Sequence, residues 1–424
     1  MRNPIVTIAA AVALTLLVVF VALNLLGAEK KIDQRIDRKY ATHDAQFQRT
    51  LSVLLGPPVL AGNDVQTLLN GDAIFPAMLA AIRGAQRTIT FETYIYWSES
   101  IGQEFADALS ERARAGVQVH VLLDWLGSLK MEERQLAQMR EAGVQIERFH
   151  KPAWYHLAHM NNRTHRKLLV VDGRVGFTGG VGIADKWRGD AQDADHWRDT
   201  HYRVQGPVVA QMQAVFMDNW TKATGAVLHG DDYFPALAPA GTHAAQMFSS
   251  SPTGGSESMQ LMYLLAIASA SESIQLSSAY FVPDELTIQA LVDAAKRGVK
   301  VRIITPNHLI DSKVVRGASR AVWGPLLEAG IQIAEFQPTM FHCKVLVVDG
   351  LLASVGSTNF DNRSFRLNDE ANLNVLDQEF AMQQMATFER DWSSSSVVTL
   401  EQWRQRPLLE KAAEHASSLF SLQL

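Results

Sequence analysis

The chain of 424 residues contains 47% hydrophobic and 20% charged residues, a composition typical of a folded protein with about two to three domains. Its net charge of −5 excludes an overall basic field of the kind that draws a protein to nucleic acid, so any affinity for anions must be local. The single cysteine, Cys343, excludes an intrachain disulfide and the usual cysteine-rich metal sites.

An uncharged apolar segment, residues 5–26, lies close to the N-terminus. As a helix it would span about 33 Å, which is enough to cross a bilayer. A cleaved secretory signal is the alternative, but Leu26 stands where a small residue should lie before the cleavage site. We therefore predict an uncleaved transmembrane anchor over residues 1–28. More Lys and Arg residues follow the segment than precede it, which predicts that the large domain lies on the cytoplasmic side.

The globular part follows a polar connector, residues 29–57, which ends in a Gly-Pro-Pro break. From residue 60 the hydrophobic pattern predicts helix, strand, helix and strand, and the same order returns from residue 261. Gly116 and Gly298 end the equivalent second helices. Helices that alternate with β-rich runs predict an α/β fold, with helices packed on mixed β-sheets.

One segment of the chain is repeated. The sequence THRKLLVVDGRVGFTGG at 164–180 returns as FHCKVLVVDGLLASVGS at 341–357. In each copy an apolar run stops at Asp-Gly and resumes as a second β-rich run, which predicts a hairpin with a tight primed turn. The repeat predicts two similar lobes related by a pseudo-twofold axis, residues 58–245 and residues 246–424, the second including a C-terminal tail.

Each repeat contains the pattern H-x-K-x-x-x-x-D. Residues i and i+2 of a strand share a face, so His165 and Lys167 point to the same side, as do His342 and Lys344. Two copies, followed by GG in the first and GSTN in the second, resemble the phospholipase D superfamily. Two equivalent copies are far more specific than one short motif. The resemblance implies two phospholipase D-type lobes that cleave phosphodiesters without a metal or other cofactor, using one histidine from each lobe.

The resemblance also implies a role for each of these four side chains. His165 is the nucleophile that forms a phosphohistidine, and His342 is the acid that protonates the leaving alcohol and then acts as the base for the incoming one. Lys167 and Lys344 would supply positive charge to the phosphate oxygens.

Four carboxylates accompany the two motifs. Asp172 and Asp349 complete the motifs and are catalytic candidates by resemblance, although an Asp before Gly is also what a tight turn requires, which favours a structural role. A nucleophilic imidazole needs its other nitrogen held by an acceptor. Asp199 follows the first motif and Glu370 the second, where family members carry such a carboxylate. Solvated loop acids are the alternative.

Candidates for phosphate binding follow each motif. Ser357 and Asn359 can donate hydrogen bonds to a bound phosphate. Gly180 and Gly182 stand opposite them in the first copy, which therefore lacks the asparagine seen in many relatives. The backbone amide of Gly180 is predicted to substitute, because glycine lets the main chain approach an anion closely.

Other residues near the motifs have two interpretations. Two flanking arginines are predicted to contact a lipid phosphate, with solvated charges as the alternative. Bulky aromatic side chains can form the apolar, water-poor mouth that a transferase needs, or can equally belong to the core. The arginines are Arg163 and Arg166, and the aromatic residues are Trp154, Tyr155, Trp187, Trp197 and Trp323.

Nucleases, hydrolytic phospholipases and transferases share this core. Segments from about residue 58 to the end, among them FETYIYWSESIGQEFADAL and GSTNFDNRSFRLNDEANL, resemble bacterial-type cardiolipin synthases. The resemblance implies transfer of a phosphatidyl group to the glycerol hydroxyl of phosphatidylglycerol at the bacterial inner membrane, from phosphatidylglycerol or phosphatidylethanolamine. Hydrolysis and transfer to another alcohol are alternatives. A membrane-anchored nuclease is a further one, against which the acidic charge argues, so no nucleic acid is expected as a partner.

Overall fold

The N-terminal helix coincides with the predicted anchor. The computed structural model describes residues 4–25, 32–149, 161–252, 257–421 and 423. Helix α1 spans Pro4–Leu25, and residues 26–28 of the predicted anchor lie outside the described residues. Within the described ranges, no helix combines the length and the apolar character needed to cross a membrane. The single-pass anchor stays a prediction.

Helices and strands alternate along the first half of the chain. Its helical elements are α2 (Ala45–Leu54), α3 (Asn70–Gly84), α4 (Ser100–Arg114), α5 (Glu133–Glu141), a 3-10 turn (Asp185–Trp187) and α6 (Val209–Thr224). Its strands are β1 (Leu60–Leu69), β2 (Thr88–Thr93), β3 (Gln118–Asp124), β4 (Gln145–Phe149), β5 (Arg163–Thr164), β6 (Leu168–Val171), β7 (Val175–Gly179) and β8 (Thr200–Gln205).

The second half repeats this alternation and adds C-terminal helices. Its strands are β9 (His243–Ser250), β10 (Ser273–Ser278), β11 (Phe281–Val282), β12 (Lys300–Pro306), β13 (Gln332–Phe336), β14 (Lys344–Val348), β15 (Leu352–Gly356), β16 (Phe360–Asp361), β17 (Asn368–Leu376) and β18 (Ser395–Val398). Its helices are α7 (Ser258–Ser269), α8 (Glu285–Lys296), α9 (Lys313–Ala321), α10 (Trp323–Glu328), α11 (Asn362–Arg366), α12 (Gln378–Ser393), α13 (Leu400–Arg404) and α14 (Leu408–Ser418).

The strand order is the same in both halves. From the outer edge inward, the first half reads β4-β3-β2-β6-β7-β8-β1 and the second reads β13-β12-β10-β14-β15-β17-β9. In each half the outer three strands are parallel and the next are antiparallel, as in β2–β3 and β2–β6. Strands β1 and β9 pair antiparallel and join the halves, and β18 extends the second half beyond β13. The predicted α/β class is confirmed, and the repeated order supports the pseudo-twofold relation.

The two Asp-Gly turns have the predicted primed geometry. Asp172 and Gly173 have φ values of 53° and 61°, and Asp349 and Gly350 have 52° and 60°. Two consecutive residues with positive φ define the type I′ turn, whose twist matches that of the flanking strands. β6 pairs with β7 and β14 with β15 across these turns, so the predicted hairpins are confirmed.

The carboxylates of the turn aspartates tie each hairpin to a neighbouring strand. Asp172 accepts hydrogen bonds of 2.8–3.1 Å from the backbone N–H groups of residues 86–88. Asp349 accepts bonds of the same lengths from residues 271–273. These oxygens cap the start of β2 and β10, at the end of the hairpin away from the His-Lys pair. This geometry favours the structural role that the turns predict for both aspartates, and the catalytic role suggested by the motif stays a prediction.

Three apolar clusters make up most of the core. One packs the helices of the first half on its sheet and another does so in the second half. The third draws side chains from both halves, including Val170 of β6, Val347 of β14 and Leu373 of β17, all buried. This shared cluster holds the two motif strands in a defined relation to each other.

Candidate active site

The two motifs meet where the halves join. The backbone N–H of His165 donates to the carbonyl of Asp369 at 2.9 Å, and that of His342 donates to the carbonyl of Arg198 at 2.8 Å. Strand β5, just before His165, pairs with the start of β17. In the equivalent place of the other motif, an isolated β-bridge joins Arg198 to Phe341, just before His342. Each motif is thus bound to the segment of the other half that carries a carboxylate.

The histidine–carboxylate pairs cross between the halves. Nδ1 of His165 lies 2.9 Å from Oε1 of Glu370, and Nδ1 of His342 lies 2.7 Å from Oδ2 of Asp199. A carboxylate accepts, so Nδ1–H donates and the lone pair of Nε2 is left for chemistry. Both carboxylates are completely buried, which makes the solvated-acid alternative wrong. Their predicted orienting role agrees with this geometry, but the order of residues along the chain does not reveal the crossing.

The two carboxylates receive different supporting hydrogen bonds. Ser357 Oγ donates to Glu370, and the Asn368 amide donates to it at 3.2 Å. Asp199 instead accepts from Trp187 Nε1 at 2.9 Å and from a backbone N–H. Ser357 also accepts a backbone N–H at 3.0 Å, so its hydroxyl is engaged. These bonds favour a role for Ser357 in positioning Glu370, and its phosphate contact stays a prediction.

Gly180 is needed for the approach of Asp199. A Cβ atom at Gly180 would lie 2.1 Å from Oδ1 of Asp199. The backbone N–H of Gly180 donates to the Thr200 carbonyl at 3.0 Å, so it is not available to a phosphate. This bond argues against the predicted phosphate contact at Gly180, and the absence of a side chain there makes room for the carboxylate.

Gly182 lines the cleft beside Trp187. A Cβ atom there would lie 2.9 Å from Ile95 Cβ and 3.1 Å from the Trp187 ring, which leaves no room for an asparagine. In the second half Asn359 lines the cleft, and its side-chain amide N–H group is the part that can donate to a phosphate. Asn359 remains a candidate for phosphate binding. Sequence reasoning considered Trp187 only for the apolar mouth or the core and missed its hydrogen bond to Asp199. The glycine at 180 is a signal for this bond, because it leaves Asp199 without the hydroxyl donor that Ser357 gives Glu370.

The two lysines of the motifs are buried next to the histidines. Lys167 Nζ donates to the His165 carbonyl at 2.8 Å. Lys344 Nζ donates to the His342 carbonyl at 2.8 Å and lies 3.2 Å from Nδ1 of that ring. Burial lowers the pKa of both lysines, and Glu370 and Asp199 partly oppose this by favouring the charged forms. The predicted placement of each His-Lys pair on one side is confirmed.

Burial and the lysines also lower the pKa of both histidines. The pKa of His165 lies well below 6.5, because desolvation and then the charges of Lys167 and Lys344 disfavour the imidazolium. The pKa of His342 is also lowered by burial and Lys344, against the opposing effect of Asp199. Both imidazoles are therefore neutral at neutral pH in the ligand-free protein, as a nucleophile requires.

The two orienting carboxylates are shifted in opposite directions. Burial alone would raise the pKa of Asp199, but His342 and Lys344 hold it below its ordinary value. Burial raises the pKa of Glu370 against the opposing effects of Lys167 and Ser357. The site is thus electrostatically asymmetric although its backbone is repeated.

The cleft has an aromatic wall next to His342. The rings of Trp187 and Trp197 lie 5.2 and 5.4 Å from the imidazole, and both side chains are buried and line the cleft. Trp323 is buried in the core of the second half, so a membrane-facing role is wrong for it. Trp154 and Tyr155 lie outside the described residues.

The two arginines that flank the first motif lie in different environments. Arg166 is completely buried, and its guanidinium donates to the carbonyls of Val215 and Ser250 and to the Asp218 carboxylate. The predicted phosphate contact of Arg166 is therefore wrong. Arg163 lines the cleft, together with Arg363 of the second half.

The family model described as cardiolipin synthase, PLD-like domain, matches residues 78–220 and 263–392. The chain belongs to this family. The matched ranges contain both His-Lys pairs and both orienting carboxylates. Residues of both matched ranges line the cleft.

Similar proteins extend over most of the chain. A cardiolipin synthase of Geobacillus kaustophilus is 37% identical over 86% of this chain and 73% of its own length. Cardiolipin synthase A of Pseudomonas fluorescens Pf-5 is 34% identical over 93% of this chain and 81% of its own.

Two solved structures share the fold at low identity. A phosphatidylserine synthase from Haemophilus influenzae has a TM-score of 0.66 at 14% identity, covering 89% of this chain and 100% of that one. A polyphosphate kinase from Porphyromonas gingivalis has a TM-score of 0.55 at 12% identity, covering 92% and 56%. These likenesses concern the fold alone.

Proposed function

We propose that this protein is a cardiolipin synthase that transfers a phosphatidyl group to the glycerol hydroxyl of phosphatidylglycerol through a phosphohistidine on His165. The crossed pairs His165–Glu370 and His342–Asp199, which face one cleft, carry the proposal. Relatives named cardiolipin synthase, 34–37% identical over most of the chain, support it. Phosphatidylglycerol and phosphatidylethanolamine are both suitable donors, because each presents the same phosphodiester.

The first step forms the phosphoenzyme. Nε2 of neutral His165 attacks phosphorus, the N–P bond forms, and the P–O bond to the head-group alcohol breaks. His342 in its protonated form gives a proton to the departing oxygen. The anionic phosphodiester raises the pKa of His342 when it binds, because a nearby negative charge favours the imidazolium. Lys167, Lys344 and Asn359 stabilise the phosphate oxygens.

The second step consumes the phosphoenzyme. His342, now neutral, removes the proton from the glycerol hydroxyl of the second lipid, whose oxygen attacks phosphorus while the N–P bond to His165 breaks. Water competes for the same intermediate and would give phosphatidic acid. The buried rings of Trp187 and Trp197 keep one side of the cleft dry, which favours the lipid alcohol.

Lipid substrates require that the protein work at a membrane surface. The apolar side chains described along α1, such as Ile8 and Leu16, are exposed, as are Leu419 and Phe420 near the C-terminus. We propose that residues 1–28 form the single-pass anchor and that the lobes face the cytoplasm on the inner membrane of a bacterium.

Product analysis tests the proposal. Purified protein is mixed with phosphatidylglycerol micelles in EDTA, and lipid products are followed by mass spectrometry beside His165→Ala. Cardiolipin formed by the wild type and absent from the variant is expected. Phosphatidic acid as the sole product would mean that the enzyme is a hydrolase. The absence of any product, even with phosphatidylethanolamine as donor, would refute the assignment.

A further inference from the structure

Joining two phospholipids brings two phosphates to one cleft. Cardiolipin contains both, linked through one glycerol, so the acceptor's own phosphate lies near the reacting phosphorus during transfer. The histidines and lysines surround one phosphate, and a second anion beside it needs further positive charge. This inference rests on the proposed function and concerns the acceptor lipid.

Two arginines line the same cleft from opposite halves. Arg163 is 8% exposed and lies in β5 of the first half, and Arg363 lies in α11 of the second half. Burial, followed by the charge of Arg163, lowers the pKa of Arg363. The two guanidinium groups therefore act on each other as like charges in a desolvated place, an arrangement that a bound anion stabilises.

Neutral groups hold Arg363 in position. Its Nη2 donates to the Asn161 carbonyl at 2.7 Å, and its Nη1 donates to the Gln423 carbonyl at 2.9 Å. These bonds orient the guanidinium without cancelling its charge, and the carboxylates of Asp361 and Asp124 each stabilise that charge less than Arg163 destabilises it. Asn161 belongs to the first half and Gln423 to the C-terminal end of the second, so the arginine is fixed from both sides.

The motif lysines donate to the carbonyls of the two histidines, whereas Arg363 donates to Asn161 and Gln423. Arg363 lowers the pKa of His165, but less than either Lys167 or Lys344 does. The lysines are thus placed for the phosphate under attack, and Arg363 for a neighbouring one. In phosphatidylglycerol, three carbon atoms of the head-group glycerol separate the phosphate from the terminal hydroxyl, which suits this spacing.

We propose that Arg363 and Arg163 form a second phosphate subsite, which binds the phosphodiester of the acceptor lipid and directs its terminal hydroxyl to the phosphohistidine. A guanidinium can donate two parallel hydrogen bonds to two oxygens of one phosphate, which suits both arginines to this role. The subsite determines which alcohol reacts with the phosphoenzyme. An acceptor with a phosphate gains from it, whereas water and free glycerol do not.

A competition between acceptors tests the subsite. The full-length wild type and Arg363→Gln are supplied with a phospholipid donor, phosphatidylglycerol and deuterated glycerol together. Cardiolipin, labelled phosphatidylglycerol and phosphatidic acid are quantified in one reaction. In the variant, the ratio of cardiolipin to phosphatidic acid is expected to fall about 10- to 100-fold, while the ratio of labelled phosphatidylglycerol to phosphatidic acid stays unchanged.

Three further variants complete the experiment. Arg363→Lys keeps the charge but loses the paired N–H donors, so its ratio of cardiolipin to phosphatidic acid should lie between those of the wild type and Arg363→Gln. If Arg363→Gln does not fold, Arg163→Gln should show the same fall in that ratio. Arg404→Gln removes an arginine of an exposed ion pair and serves as the control.

The outcomes separate this inference from the proposed function. A wild type that makes cardiolipin, with variants in which both transfer ratios fall equally or neither falls, would overturn the subsite alone. A wild type that releases phosphatidic acid and no cardiolipin would overturn the proposed function.

Discussion

Glu370, in the second half of the chain, accepts a 2.9 Å hydrogen bond from Nδ1 of His165 in the first. The reciprocal bond joins His342 to Asp199 at 2.7 Å. Each imidazole therefore depends on the other half for its orientation and tautomer. The backbone hydrogen bonds from His165 to Asp369 and from His342 to Arg198 align each motif with the segment that carries its carboxylate.

The crossed pairing predicts that a change in one half disables the histidine of the other. Glu370→Gln should slow the first release of head group by about 10²- to 10⁴-fold, because an amide does not hold the imidazole tautomer as a carboxylate does. Rapid-quench measurement of the head-group burst checks this, with circular dichroism to verify folding. Phosphoenzyme that still forms on His165 at the wild-type rate would contradict the pairing.

Gly180 should tolerate no side chain. Gly180→Ala places a Cβ atom 2.1 Å from Asp199 Oδ1, so the carboxylate must move and release His342. We expect turnover to fall at least about 10-fold, since the acid-base group loses its orientation. Gly84→Ala is the matched control, because no atom lies within 4 Å of the added methyl group. Equal turnover in the two variants would show that Asp199 has room to adjust.

Asp172 should matter for stability and not for chemistry. Asp172→Ala removes the acceptor of backbone N–H bonds from residues 86–88 and should lower the free energy of unfolding by about 1–3 kcal/mol. Asp172→Asn keeps one acceptor oxygen and tolerates the left-handed turn, so it should cost less. Denaturant titration measures both, beside kcat on the same preparations. A large loss of kcat in a folded Asp172→Asn variant would restore the catalytic interpretation.

The pH profile should have limits displaced from those of free side chains. The pKa of His165 is lowered well below 6.5, so the neutral nucleophile persists into mildly acidic solution and kcat/KM should fall only below pH 6.5. Burial lowers the pKa of Lys167 from 10.5, so its positive charge is lost at lower pH than that of an exposed lysine. If Lys167 sets the alkaline limit, Lys167→Arg should move it upward, since a guanidinium stays protonated, whereas a limit set by loss of the His342 proton should stay unchanged. An unchanged alkaline limit would assign it to another group.

Much of the fold followed from local patterns. The Asp-Gly turns, the alternation of helices and strands and the duplicated motif predicted the hairpins and the α/β class, because turn chemistry and hydrophobic period act over a few residues. The same reasoning assigned chemical roles to several residues whose surroundings favour structural ones. Ser357, Gly180 and Asp172 stand in motif positions, but each has its hydrogen bonds or space taken by neighbours that no local pattern identifies.

The sequence by itself predicted which side chains would carry the chemistry and determined that the His-Lys motif occurs in two equivalent copies. Only the tertiary structure decided how those sets combine: Glu370 with His165, Asp199 with His342, and Trp187 in place of a hydroxyl donor. The reason is physical. A strand determines which of its residues share a face, but contacts between distant segments depend on how the whole sheet closes at β1 and β9.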